Sequence, residues 1–478
     1  MSSRYFSPQP NVPGRGIVAG YGLSFWGLVV AIGLFAGLAG AALMELLRAV
    51  EHLAWPYVVG DDFLQAVQRS SSAQRVLVLL AAGVVAGIGG LVLKRLRGLG
   101  GGEVSEAVWL GDGRLALGPS LARGVLSIVV VGMGASIGRE AAPQLAGGAF
   151  ASRLCERAGL PAWQRRLLVA CGAGAGMAAV YNIPLGGALF AVEVLLGTLS
   201  LPLVLPALAT SLIATAVAWI VLPIAPTYRV PLYGVSVRQI AFALLAGPLG
   251  GLAAAAWVRL VVFAHEARPE GGLRRLFAPL PVFLALGLLA IAFPQLLGNG
   301  KDTIQLALTA QLGVGLLAAL AVLKPLVTAG CLGSGAPGGL FTPTLTYGVL
   351  LGGLFGHAWT VLWPGSPDGS YALIGGAAVL AAAMQGPLAA VVMVLELAHF
   401  TDTLMVPILL AVVGATVVSR RMGLQSIYSA RLDAGAVIHP GDGPGAGGVS
   451  GAPGVSGAPG VSGAPMDDEP LGPAAVGV

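Results

Sequence analysis

The stretch Asn182-Ile183-Pro184-Leu185-Gly186-Gly187-Ala188-Leu189-Phe190-Ala191-Val192-Glu193 has a counterpart in Gln385-Gly386-Pro387-Leu388-Ala389-Ala390-Val391-Val392-Met393-Val394-Leu395-Glu396. The two prolines are 387 − 184 = 203 residues apart and the two glutamates 396 − 193 = 203, so the chain reads as an internal duplication. Each copy is preceded by an apolar stretch broken by glycine and proline: Gly138-Arg139-Glu140-Ala141-Ala142-Pro143 in the first half, Gly338-Gly339-Leu340-Phe341-Thr342-Pro343 in the second. Interrupted apolar segments at corresponding places in two repeats point to a binding site near the middle of a membrane.

Composition sets the same frame. Of 478 residues, 56% are hydrophobic and 10% charged, with a mean hydropathy of +0.86, whereas soluble domains carry about 25% charged residues. Apolar runs of roughly spanning length occupy 25–46, 76–93, 167–195, 201–224, 240–262, 280–297, 312–332, 345–361 and 373–397, with shorter or more broken ones at 121–137 and 403–418. Roughly ten or more membrane helices are expected, several of them not clean spans. The 73 glycines allow helix backbones to approach closely, and the runs lack the alternation of a barrel strand.

Residues 1–20 read as a short cytoplasmic arm without a cleavable signal, 21–432 as one membrane domain of two halves (about 21–225 and 240–432), and 433–478 as a disordered tail. That tail holds Gly448-Val449-Ser450-Gly451-Ala452-Pro453 three times in tandem and has no means of burying a core. Basic clusters around 94–97, 153–166 and 420–431 place those loops inside and put both termini in the cytoplasm of a bacterial-type plasma (cell inner) membrane. The net charge of +5 then belongs to retained loops and not to a nucleic-acid surface. Cys155, Cys171 and Cys331 lack metal-ligand spacing and read as packing residues; no metal or cofactor is expected.

Gly138 through Pro143 marks the start of a helix inside the apolar region. The first turn of such a helix has N–H groups without partners, proline costs nothing there, and the dipole is positive at that end. The product is an anion site. The amides of Leu340 and Phe341 would serve a second such end, and two ends facing each other would hold a monovalent anion with little formal positive charge, so that it can also leave. The plainer reading of either stretch alone is close packing by glycine, with Glu140 paired to Arg139 or a loop arginine; its occurrence in both halves argues against that. A membrane hydrolase built on Ser334, His357 or His399 lacks a glycine at position 332, where Leu332 stands, and no histidine is placed by sequence to activate the serine. A cation-coupled transporter would also use half-helices.

Several motifs in order make the chain similar to the CLC family of chloride channels and chloride/proton antiporters. The family pattern G-(K/R)-E-G-P is matched by Gly138-Arg139-Glu140 and partly by Ala141-Ala142, and G-x-F-x-P by Gly339-Leu340-Phe341-Thr342-Pro343. Asn182 to Glu193, Pro387 to Glu396 and Ile427-Tyr428-Ser429-Ala430 resemble further family segments, so the resemblance covers about 20–432. It implies an all-α polytopic fold with inverted halves and broken helices, a homodimer with one pore per subunit, and transport of chloride and similar small anions. By the same resemblance Glu140 is the gating carboxylate, the region of Gly138 and Arg139 and the amides of Leu340 and Phe341 hold the anion, and Tyr428 donates a phenol hydroxyl to it.

Two departures qualify that expectation. The family's G-S-G-I-P falls on Gly98-Leu99-Gly100-Gly101-Gly102, so Leu99 replaces the serine donor and Gly100 follows it, which leaves selectivity open. Val194 stands where proton-coupled members commonly carry an inner glutamate, with Glu193 one residue earlier as a helix-end carboxylate or a substitute proton relay. The resulting expectation is passive or weakly proton-coupled chloride flux, with chloride/proton antiport as the alternative and fluoride export behind it.

Overall fold

The computed structural model describes residues 21–96, 102–269, 271–398 and 403–432. The expected N-terminal arm and C-terminal tail, together with Leu99, Gly100 and His399, lie outside them. Among the described residues there is no strand; the sole extended pairing is an isolated antiparallel bridge between Gly138 and Gly339.

The first half contains α1 (Leu23–Ala54), α2 (Phe63–Arg69), α3 (Ser72–Leu96), α4 (Val104–Trp109), α5 (Leu117–Gly132), α6 (Ala141–Arg157), α7 (Ala162–Tyr181), α8 (Pro184–Leu189, continued by a π turn, Phe190–Leu195) and α9 (Leu201–Ala218). The second contains α10 (Val237–Glu266), α11 (Gly272–Phe277), α12 (Pro279–Ala292), α13 (Lys301–Leu308), α14 (Val314–Gly333), α15 (Phe341–Leu362), α16 (Asp368–Met384), α17 (Pro387–Ala398) and α18 (Met405–Arg421). The two halves are structurally related: α6 packs on α7 as α15 packs on α16, α1 on α9 as α10 on α18, and α7 on α9 as α16 on α18.

Among the described residues seven helical stretches are long and apolar enough to cross a membrane, one of them α11 running into α12 (Gly272–Ala292), and four more apolar ones are shorter. The single spans read from 167–195 and 373–397 are each two helices. The break falls where the chain turns left-handed, at Asn182 (φ 57°) and Gln385 (φ 56°), again 385 − 182 = 203 residues apart. Asparagine is among the non-glycine residues that tolerate that conformation best, and the amide of each residue is used: Asn182 Oδ1 accepts from Trp219 Nε1 at 2.9 Å and Gln385 Nε2 donates to Ser419 Oγ at 3.0 Å. The runs at 121–137 and 403–418 correspond to the shorter helices α5 and α18, of 16 and 17 residues.

Helices α7 and α16 are apolar on all sides and buried along nearly their whole length, the pattern of a helix enclosed by others. Their outer partners come close because glycines face each other, Gly147 against Gly172 and Gly348 with Gly352 against Gly375, where an added Cβ would overlap backbone atoms. Between halves, α3 packs on α12 and α8 on α17. The second contact is reciprocal. Glu193 accepts from the N–H groups of Leu388 and Ala389 (3.2 and 2.5 Å) at the start of α17, and Glu396 accepts from those of Leu185 and Gly186 (3.0 and 2.6 Å) at the start of α8. Each carboxylate therefore caps the proline-led helix of the other half, a placement the helix dipole favours.

Candidate functional site

The bridge between Gly138 and Gly339 is a pair of backbone hydrogen bonds, Gly138 N–H to the Gly339 carbonyl at 2.9 Å and Gly339 N–H to the Gly138 carbonyl at 2.8 Å. It ties together the segments that lead into α6 and α15, whose cap residues are Glu140 and Leu340. Two helix amino ends thus meet inside the protein, as the broken segments predict. With Glu140 docked there is no room for a side chain at the crossing, because a Cβ on either glycine would overlap its carboxyl.

Glu140 is 1% exposed. Its Oε1 accepts the N–H of Phe341 at 2.6 Å, so the carboxylate occupies the amino end of α15. Its Oε2 lies 3.1 Å from Tyr181 Oη and 3.3 Å from Thr342 Oγ1, and those two hydroxyl oxygens lie 2.6 Å apart, so that two protons are shared among three contacts. A buried carboxylate needs such donors to remain ionised. Among the described residues it has no ion pair with Arg139. Instead the Arg139 guanidinium carbon lies 5.1 Å from the centre of the Tyr181 ring, a cation–π contact.

Beside the carboxylate is a cavity of about 50 Å³ lined by Glu140, Gly338, Gly339, Leu340, Ser127 and Tyr428, with Glu103, Arg123 and Arg431 on its border. It has room for about one or two species of water size. Tyr428 is brought there by the N–H of Ile427 bonding the Ala383 carbonyl (2.8 Å) and by an edge-on contact with Phe190 (5.3 Å). The hydroxyls of Tyr428 and Ser127 are buried without a hydrogen-bond partner, as expected of donors reserved for a guest.

Arg431, one turn after Tyr428, bonds the Ile427 carbonyl through Nε (3.1 Å) and grips Glu103 with both terminal nitrogens (2.9 and 2.7 Å). Arg123 reaches the same carboxylate at 3.3 Å. Burial opposes ionisation of Glu103, but Arg431 and then Arg123 outweigh it and bring the carboxyl down to about 2.

Of the residues singled out by sequence, Gly138, Glu140, Leu340, Phe341 and Tyr428 converge here. Arg139 does not line the cavity. Val194 is buried with a methyl against Gly386, and its neighbour Leu195, not Val194, reaches the cavity edge. Ser334 Oγ donates to the Cys331 carbonyl (2.7 Å) and His357 meets Asp368 (3.1 Å), so the two are not brought together. Cys155, Cys171 and Cys331 are buried free thiols. Sequence reasoning does not reach Tyr181, Thr342, Ser127, Arg123, Glu103 or Arg431. Thr342 sits at a variable position of the Gly339–Pro343 motif and the others outside the site motifs, and their partners lie up to 328 residues away in sequence.

The chain matches a protein-family model described as voltage-gated chloride channel over residues 82–420. It is 33% identical over 415 residues to a putative chloride channel protein ClcB-like of Ralstonia nicotianae, covering 84% of this chain and 95% of that one. It is 31% identical over 415 residues to a voltage-gated ClC-type chloride channel ClcB of Citrobacter koseri, covering 84% and 97%. Among solved structures, a slow cyanobacterial Cl⁻/H⁺ antiporter superposes with a TM-score of 0.73 at 21% identity over 85% of this chain and 96% of that one. A CLC-type fluoride/proton antiporter does so with 0.68 at 20% over 88% and 99%.

Proposed function

The chain belongs to the CLC family of anion-transport membrane proteins, and on that premise we propose that it carries chloride, passively or with weak proton coupling, through a pore gated by Glu140. The observation that carries this reading is the Glu140 carboxylate on the Phe341 amide, where a negative side chain fills the helix end that would otherwise receive an anion. Protonation removes the charge that holds it there, the side chain leaves, and chloride enters against the Leu340 and Phe341 amides with the Tyr428 hydroxyl as a further donor. Anion flux therefore rises as pH falls.

Weak coupling rests on the inner side. Val194 is apolar and buried, and Glu193 has both carboxylate oxygens on the amides that open α17. The competing reading is chloride/proton exchange, the activity named for the cyanobacterial structure; Glu140 alone would supply its outer proton acceptor. Fluoride export, named for another similar structure, comes third. We also place the protein in the plasma membrane as a homodimer with both termini cytoplasmic.

The test is a reversal potential in liposomes with separate chloride and pH gradients. A potential that follows chloride and ignores the pH gradient supports the proposal. A shift with pH in a fixed ratio overturns it in favour of exchange, and a fluoride-dominated potential does so in favour of the third reading.

A further inference from the structure

We propose that Tyr181 and Thr342 form a hydroxyl latch that holds the Glu140 gate closed and so sets the pH at which the pore opens. This rests on the reading of Glu140 as the gate and adds residues that neither the family pattern nor the repeat assigns.

The geometry is specific to the docked carboxylate. Phe341 N–H occupies Oε1, and Oε2 faces two hydroxyls, Tyr181 Oη from the carboxyl end of α7 and Thr342 Oγ1 from the first turn of α15. Two hydroxyl protons serve the three contacts, so one hydroxyl donates to the other across the 2.6 Å gap while the second proton goes to Oε2, and loss of either hydroxyl breaks the chain. Tyr181 is held from outside as well: Arg139 lies over its ring, Phe341 packs at 5.6 Å, and Thr227 Oγ1 donates to its carbonyl at 2.9 Å. It is 2% exposed and Thr342 is fully buried. A phenylalanine and a small apolar residue would fill the same space, so the hydroxyls are not needed for packing. They are needed only when the carboxylate is ionised and in place, since a hydrogen bond to the charged form favours that form.

The charged and titratable groups around Glu140 do not supply the same hold. Arg139 is directed at the ring; on the cavity side Arg431 and Arg123 are both turned onto Glu103, which offsets one of their two charges, and Tyr428 and Tyr228 present hydroxyls with no bond to it. The latch is thus the adjustable part of the gate. Removing one donor weakens the docked, ionised state and leaves the protonated, departed state unchanged, so opening moves to higher pH.

The experiment measures chloride efflux from liposomes across pH for the parent, Tyr181→Phe, Thr342→Val, Thr342→Ser and Glu140→Gln. Tyr181→Phe and Thr342→Val should each raise the pH midpoint by about one unit, as expected for one lost hydrogen bond to a charged group, and raise efflux up to about tenfold at a pH above the parent midpoint. Thr342→Ser keeps the hydroxyl and should keep the parent midpoint. An unchanged midpoint in both Tyr181→Phe and Thr342→Val, with Glu140→Gln flat in pH, overturns the latch and leaves the gate standing. A Glu140→Gln profile as steep as the parent's overturns the gate reading itself. Loss of efflux in Tyr181→Phe without a midpoint shift marks a packing role and also overturns the latch.

Discussion

The two halves touch at α8 against α17 in a way the repeat preserves, and at Gly138 against Gly339 in a way it abandons two residues later. At the first contact Glu193 and Glu396 exchange identical duties, each capping the other half's helix. At the second the backbone is symmetric, but the residue that follows is Glu140 on one side and Phe341 on the other, 341 − 140 = 201 residues along. Symmetry could not have been kept there with function. Two glutamates would set like charges against each other in a buried space, and two phenylalanines would leave no carboxylate to occupy the anion position. On the proposed function, the preserved pair is a structural contact and the broken pair carries the chemistry.

The largest effect should come from the broken pair. Glu140→Gln is expected to abolish the pH dependence of anion flux, and Glu140→Ala to leave the path open at every pH, because the group that competes with chloride at the α15 amino end is gone. The measurement is chloride efflux from liposomes between acid and alkaline pH. Steep pH dependence surviving in both variants would remove the functional meaning from the asymmetry.

The preserved pair should answer in a matched way. Glu193→Gln and Glu396→Gln each weaken two bonds from helix-end amides to a carboxylate, and about 1.5 to 3 kcal/mol of stability per site is expected from hydrogen bonds to a charged group. Thermal unfolding in detergent should show nearly equal losses, with neither variant altering the ratio of proton to chloride movement. If Glu193→Gln changed that ratio and Glu396→Gln did not, the contact would be symmetric in form only and Glu193 would be the substitute relay. Val194→Glu sharpens the point: it puts a protonatable group at the inner position, and a pH-dependent shift in reversal potential that the parent lacks is the expected gain. The methyl of Val194 against Gly386 means that this variant must shift its surroundings to be accommodated, so its folded yield should also fall.

How far the sequence can be read follows the same division. The repeat, the helix starts at Glu140 and Phe341 and the meeting of those two helix ends are local signals: glycine, proline and a charge in an apolar run have one economical explanation each. The left-handed breaks at Asn182 and Gln385 are visible as Asn-Ile-Pro and Gln-Gly-Pro but fall inside continuous apolar spans, because hydropathy does not register a single residue of positive φ. Tyr181 is beyond reach for a different reason. In sequence it is an aromatic at the end of an apolar helix, and only the crossing of α7 over the start of α15 gives its hydroxyl a carboxylate to bond. Arg431 and Glu103 are likewise ordinary loop charges until the fold brings them together.

The smallest effect concerns Tyr428, which has no counterpart in the first half and so belongs with the broken features. Its hydroxyl is buried in the cavity wall without a partner, and the segment is held by Ile427 on Ala383 and by Arg431 on Glu103 independently of that hydroxyl. Tyr428→Phe should therefore leave the fold, the gate and the pH profile in place and remove one neutral donor to the bound anion. A neutral hydrogen bond contributes about 0.5 to 1.5 kcal/mol, which corresponds to a roughly two- to twelvefold weaker chloride affinity by calorimetry. The variant also bears on Arg431. If Arg431 acts by positioning Tyr428, Arg431→Gln and Glu103→Gln should both weaken chloride binding, and neither should weaken it further when combined with Tyr428→Phe. If Arg431 instead attracts the anion by its charge, Glu103→Gln should strengthen binding while Arg431→Gln weakens it. An unchanged chloride affinity in Tyr428→Phe would take that hydroxyl out of the site and leave the Leu340 and Phe341 amides as its donors.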